Sequence, residues 1–238
     1  MDHSHPKGLV HHFDDLKQQT ESATLGMWSF LVTEILFFGG LIVSYIVFRG
    51  LYPKAWEYAS HELDWVLGGV NTLVLLISSL TMAFAVYAAH AGDQKGTFRY
   101  LLATIFFGTI FLVVKYFEYS AKVEHHLIPG SESFTFNAPG VDPGNAQIFF
   151  FMYFAMTGVH ALHMVVGIGF VAWIARNVKK GKYTKDYYGP VEMTGLYWHF
   201  VDIVWIFLYP LLYLIDLTTA GGEEHVSRLI NQISGWFG

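Results

Sequence analysis

Long apolar runs separated by short polar connections set the pattern of this chain. Five of them, 24–48, 65–89, 98–119, 146–175 and 194–217, each reach the ~20 residues that an α-helix needs to cross about 30 Å of hydrocarbon. The pattern predicts an all-α, polytopic membrane protein whose core is a five-transmembrane-helix bundle. It divides the chain into a polar tail over 1–22, the helical domain over 23–217 and a C-terminal tail over 218–238. The polar tail holds a short amphipathic patch at Leu9, Val10, Phe13 and Leu16. Beyond Gly221 and Gly222, Val226, Leu229, Ile230, Ile233, Trp236 and Phe237 recur at helical spacing. That tail reads as an amphipathic helix on the outer surface or on a partner subunit, with a loosely ordered tail as the alternative.

Within the last run, His199 and Asp202 are three residues apart and share a helical face with Gly195, Trp198, Trp205, Ile206 and Tyr209. Phe200, Val201, Ile203, Val204, Phe207 and Leu208 occupy the other arc. One face is expected to meet lipid and the other to meet protein, which requires a bundle.

Composition agrees with membrane insertion, with only 14% charged residues and a mean hydropathy of +0.39. The net charge of -5 comes without a basic block, so nucleic acid is not an expected partner. The chain has no cysteine, which removes disulfides, thiolate zinc sites, iron–sulfur clusters and covalent c-type haem. Its first twenty residues lack a cationic start followed by an apolar run, so the first span is expected to act as its own insertion signal. Nine of the 14 Lys and Arg fall in the N-terminal tail, the 90–97 turn with Arg99 at its edge and the 176–193 loop. The positive-inside rule then predicts a cytoplasmic N-terminus and an external C-terminus. Two external loops, 49–64 and 129–144, are predicted to carry interfacial aromatics such as Trp56 and Phe136.

Polar side chains inside the spans are the candidate functional groups. Glu34 stands about 15 Å deep at 1.5 Å per residue, near the midplane. A bare carboxylate there costs several kcal/mol, so Glu34 is expected to be protonated, or paired and hydrogen-bonded. Thr157, His160, His163, Met164 and Gly167 line one side of the fourth span, with His163 at a depth where it can meet Glu34. Three readings stay open for Glu34, His160, His163, His199 and Asp202: interhelical hydrogen bonds, a proton relay, or metal ligands. Haem ligation fits least, because His199 lies roughly 10 Å from His163 in depth. A histidine-box di-iron enzyme needs boxes at one end of the bundle, whereas His11 and His12, His125 and His126, and His160 and His163 are predicted at three levels. A stand-alone transporter would call for an inverted repeat or paired broken helices, and the sequence offers neither. Lys115 and Glu118 share a face at the end of the third span and can pair there. Asn71, Ser78 and Met82, with Gly68, Gly69 and Ala85, read as close helix packing.

Several motifs, in order, then carry a resemblance. They are His11-His12-Phe13 with Gln18-Gln19, the run from Leu25 through Trp28 and Glu34 to Phe38, and the run from Asn71 to Ser79. Lys115-Tyr116-Phe117-Glu118-Tyr119, the run from Met156 to His163, and Tyr197-Trp198-His199-Phe200-Val201-Asp202 up to Trp205 follow. Together they touch every span, and the chain resembles subunit III of the haem–copper cytochrome c oxidases in a five-helix form. The larger members have seven helices, and the extra N-terminal pair is absent here, so lipid held in their cleft would be held differently in this chain.

The resemblance implies a non-redox structural subunit of a proton-pumping terminal oxidase in an aerobic respiratory chain, set in a bacterial cytoplasmic (inner) membrane. It implies no haem or copper in this chain, those groups residing in partner subunits, and bound phospholipid. Implied partners are oxidase subunit I by direct packing, subunit II, a small subunit IV and association in a respiratory supercomplex. Five-helix members occur among quinol oxidases too, which keeps quinol open beside cytochrome c as donor. By the same resemblance Glu34, Glu118, His160, His163, His199 and Asp202 are intramembrane polar groups, structural or proton-related. Trp28, Lys115, Trp198 and Trp205 are expected at lipid or subunit contacts.

Overall fold

A computed structural model describes residues 13–215 apart from Asp186. The reading of the C-terminal tail, His11-His12 and part of the N-terminal patch lie outside the described residues. Six helices are present: α1 (Leu16–Leu51), α2 (Pro53–Ser60), α3 (Trp65–Ala91), α4 (Gln94–Glu124), α5 (Pro143–Lys179) and α6 (Gly189–Tyr213). Five are long and apolar enough to cross a membrane, all but α2.

The helix ends follow local chemistry that hydropathy does not see. Asp15 starts α1 inside the polar stretch, its Oδ1 accepting from the Gln18 N–H at 2.7 Å. Asp64 does the same for Leu67 at 2.9 Å, Asp93 for Gly96 at 3.0 Å, and Asp142 for Gly144 at 2.7 Å. Gly92 ends α3 with a φ of 80°, and Gly181 follows α5 with a φ of 67°. Each lets the chain turn left-handed so that the next N–H returns to the last helical turn, Asp93 to the Ala88 carbonyl and Lys182 to that of Asn177. The spans therefore run past their apolar limits, α1 by eight residues at its start.

The expected 49–64 loop holds α2. Proline opens it at Pro53, and Ala55, Trp56, Ala59 and Ser60 bury one side. Trp56 is fully buried, its ring edge-on to Phe149 at 5.6 Å and to Tyr45 at 5.9 Å, where an interfacial position was expected.

Packing divides the chain into two compact units. The first comprises residues 13–39, Leu73–Lys115 and Val159–Val204; the second comprises Gly40–Thr72, Tyr116–Gly158 and residues 205–215. In the first unit, residues of α6 contact α1 through Phe38 and Phe200, α3 through Ser79 and His199, and α5 through Phe170 and Tyr197. Its contact with α4 is close: a Cβ on Gly108 would stand 2.8 Å from the Trp198 ring. In the second unit, α6 is held by Thr72 and Trp65 of α3, Glu118 of α4, Tyr153 of α5 and Tyr45 of α1.

This central position corrects the two-arc reading of the last span. Phe200, Val201, Val204 and Leu208, assigned to lipid, are buried, and among the described α6 hydrophobes only Ile203, Ile206 and Phe207 are exposed. A helix contacted by four others has little surface left, so a strict division into a lipid arc and a protein arc does not hold. The basic connections also meet: the Gln94 side chain donates to the Tyr183 carbonyl at 3.1 Å, and Lys179 Nζ lies 6.0 Å from the Phe98 ring centre.

Candidate functional site

Two intramembrane polar clusters can be built from these helices, one in each unit. In the first unit, Glu34 of α1 and His163 of α5 meet, His163 Nε2 lying 3.1 Å from Glu34 Oε2. Both are only partly exposed, at 18% and 16% of their side chains. His163 Nδ1 faces the Val159 carbonyl at 2.8 Å, and the Tyr197 hydroxyl donates to the His163 carbonyl at 2.9 Å. Phe38 packs on the imidazole with ring centres 5.2 Å apart. With Nδ1 donating to Val159, a neutral His163 accepts a hydrogen bond from a carboxylic acid at Nε2; a protonated one donates to a carboxylate. Either way both imidazole nitrogens are engaged. Above the pair opens an apolar groove of about 510 Å³ lined by Met27, Phe30, Leu162, Val166, Phe170, Met193, Thr194 and Tyr197.

Deeper in the same unit, His199 Nδ1 lies 2.7 Å from Ser79 Oγ, and the indole N–H of Trp198 donates to Ser78 Oγ at 3.2 Å. Asp202 is 3% exposed, and neither of its carboxyl oxygens has a hydrogen-bond partner among the described residues. His160 is fully buried against the edge of Phe111, ring centres 5.4 Å apart. His160 and His163, three residues apart, thus serve different surroundings.

The second cluster centres on Glu118. Tyr153 of α5 donates to its Oε1 at 2.7 Å, and Tyr213 of α6 donates to the same oxygen. Tyr119 and Thr157 share a hydroxyl–hydroxyl bond of 2.5 Å, and Thr157 also donates to the Tyr153 carbonyl at 2.6 Å. Nearby, the Trp205 indole donates to Thr72 at 3.0 Å, Tyr209 donates to the Trp65 carbonyl at 2.9 Å, and the Lys122 ammonium donates to the Glu62 carbonyl. Sequence reading found Glu118 but missed Tyr153 and Tyr213, because an aromatic in an apolar run gives no sign of where its hydroxyl points. Ser79 and Thr72 were hidden among small packing residues for the same reason.

Of the four residues expected at lipid or subunit contacts, Trp28 is 54% exposed, whereas Lys115, Trp198 and Trp205 are buried within the chain. For those three the outward role does not fit: their side chains are enclosed by the chain's own helices. Among the described residues no group of three or more His, Cys, Asp or Glu stands close enough to hold one metal ion.

Five long apolar helices, joined by buried pairs of polar side chains on different helices, define a polytopic helical membrane protein. Comparison with known proteins makes this specific. Residues 11–216 match the family model of cytochrome c oxidase subunit III. The chain is 34% identical to cytochrome c oxidase subunit 3 of Corynebacterium diphtheriae, over 81% of this chain and 88% of the relative. It is 30% identical to that of Thermostichus vulcanus, covering 85% and 92%, and 32% identical to a cytochrome bo(3) ubiquinol oxidase subunit 3 of Pseudomonas putida, covering 83% and 87%. The chain belongs to the cytochrome c oxidase subunit III family, and it is an integral membrane subunit of a haem–copper oxidase.

Proposed function

We propose that this chain is the non-redox, structural subunit III of a proton-pumping oxidase in a bacterial cytoplasmic membrane. In this reading it packs on subunit I and stabilises it, while the haem and copper that reduce oxygen reside in partner subunits. Subunit II and a small subunit IV complete the complex, and phospholipid coats exposed faces such as that around Trp28. The N-terminus lies in the cytoplasm, in keeping with the basic α3–α4 and α5–α6 connections that meet in the first unit.

One observation supports this reading most. Four of the intramembrane ionisable groups direct bonds to other helices of the same chain: Glu34 and His163 to each other, Glu118 to Tyr153 and Tyr213, and His199 to Ser79. Such bonds fasten helices. His160 and Asp202 are assigned the same packing role. Cytochrome c is the proposed donor; the likeness to a ubiquinol oxidase subunit 3 supports quinol as the second reading.

Purification through a tag on this chain in mild detergent tests the proposal. Stoichiometric haem iron and copper should accompany the intact complex and be absent from the chain after dissociation. Metal retained by the separated, folded chain would refute it. A copper-binding subunit II among the co-purifying chains would select cytochrome c as donor.

A further inference from the structure

We propose that the groove above the Glu34–His163 pair binds the ring of an isoprenoid quinol. The inference rests on the membrane placement of the helices and not on the oxidase reading.

Depth is the first argument. Glu34 stands at the middle of a 36-residue helix, roughly 26 Å from either end at 1.5 Å per residue. A phospholipid keeps its phosphate and ester oxygens at the interface, about 15 Å from the midplane. Only its hydrocarbon tails reach Glu34, and they offer no hydrogen bond. A quinol carries its polar oxygens on a neutral ring that dissolves in the bilayer interior.

Chemistry at the floor of the groove is the second. His163 engages Oε2 of Glu34, and Oε1 has no partner within the described residues. In either protonation state of the pair the proton lies between Oε2 and His163 Nε2, so Oε1 is an acceptor that suits the hydroxyl of a quinol. No Lys or Arg lines the groove, so nothing in it recognises a phosphate.

The walls are the third. Tyr197 is flanked by Phe30 and Phe170, with ring centres 6.1 and 5.9 Å away, which suits a flat ring better than a flexible chain. A volume of about 510 Å³ lies within the usual range of small-molecule sites.

The test uses the complex carrying this chain in native membranes, labelled with a photoreactive azidoquinol and mapped by mass spectrometry. Label should appear in peptides spanning 27–34, 162–170 and 193–197, should saturate, and should fall at least tenfold under excess unlabelled quinol. Val166→Trp fills the groove from an exposed position and should cut labelling about tenfold. Glu34→Leu should cut it several-fold, while Glu34→Gln, which keeps a donor and an acceptor, should retain most of it. Unsaturable label, label outside these peptides, or occupation by a photoreactive acyl chain or a neighbouring polypeptide that quinol does not displace would overturn the proposal. Haem and copper that still co-purify in that event leave the oxidase reading standing.

Discussion

The Glu118 cluster predicts an energetic coupling that single deletions would miss. Tyr153 and Tyr213 both donate to Glu118 Oε1, and all three side chains are buried, at 0%, 1% and 7% exposure. Hydrogen bonds to a charged group contribute about 1.5–3 kcal/mol in soluble proteins, while interhelical bonds in membranes average about 0.6 and reach about 1.7. Between these ranges, Tyr153→Phe should destabilise by about 1–2 kcal/mol, since Glu118 keeps Tyr213. Glu118→Leu removes the acceptor that both hydroxyls share and so breaks two such bonds, for an expected loss of about 2–4 kcal/mol.

Tyr153→Phe introduced into Glu118→Leu should then cost little, because the bond to Glu118 that it would break is already gone. The two backgrounds differ by a coupling of about 1–2 kcal/mol. Equilibrium unfolding by SDS titration in mixed micelles, followed by tryptophan fluorescence, measures all four corners of the cycle. If Tyr153→Phe destabilises equally in both backgrounds, Glu118 is not the acceptor that matters and the cluster is not a shared bond.

Further outcomes can be read with the same assay. Gly108→Ala drives a methyl to within 2.8 Å of the Trp198 ring and should cost about 1–3 kcal/mol by overpacking, whereas Gly26→Ala, with open space around it, should be neutral or gain up to about 1 kcal/mol from helix propensity. Ser79→Ala takes the partner from His199 Nδ1 at 2.7 Å and should cost about 1 kcal/mol; no change would mean the imidazole is satisfied elsewhere. Glu34→Gln should leave co-purification of the complex intact because the amide can still bond His163, and failure to assemble would identify an ionised pair in its place.

How much of this was legible depends on what each signal measures. Hydropathy located all five spans, since apolar length is a direct consequence of bilayer thickness. It missed the first eight residues of α1 and all of α2, because Asp15 capping and the Pro53 start act through backbone geometry in polar surroundings. The depth estimate allowed Glu34 to meet His163, and the pair lies 3.1 Å apart; depth is additive along a helix and needs no knowledge of neighbours. Facing is different. The lipid arc assigned to the last span contained Val201, Val204 and Leu208, all buried, because a hydrophobic residue reads the same toward lipid as toward a packed helix. Small residues would have been the better guide. Gly108 and Gly167 admit the Trp198 ring, and Gly68 admits Tyr209, so the glycines opposite α6 mark it as the central helix. On that view the Trp198–Asp202 segment owes its character to enclosure: side chains wedged against glycines leave no room for a ligand, and the space for one lies at Glu34, on the less crowded α1.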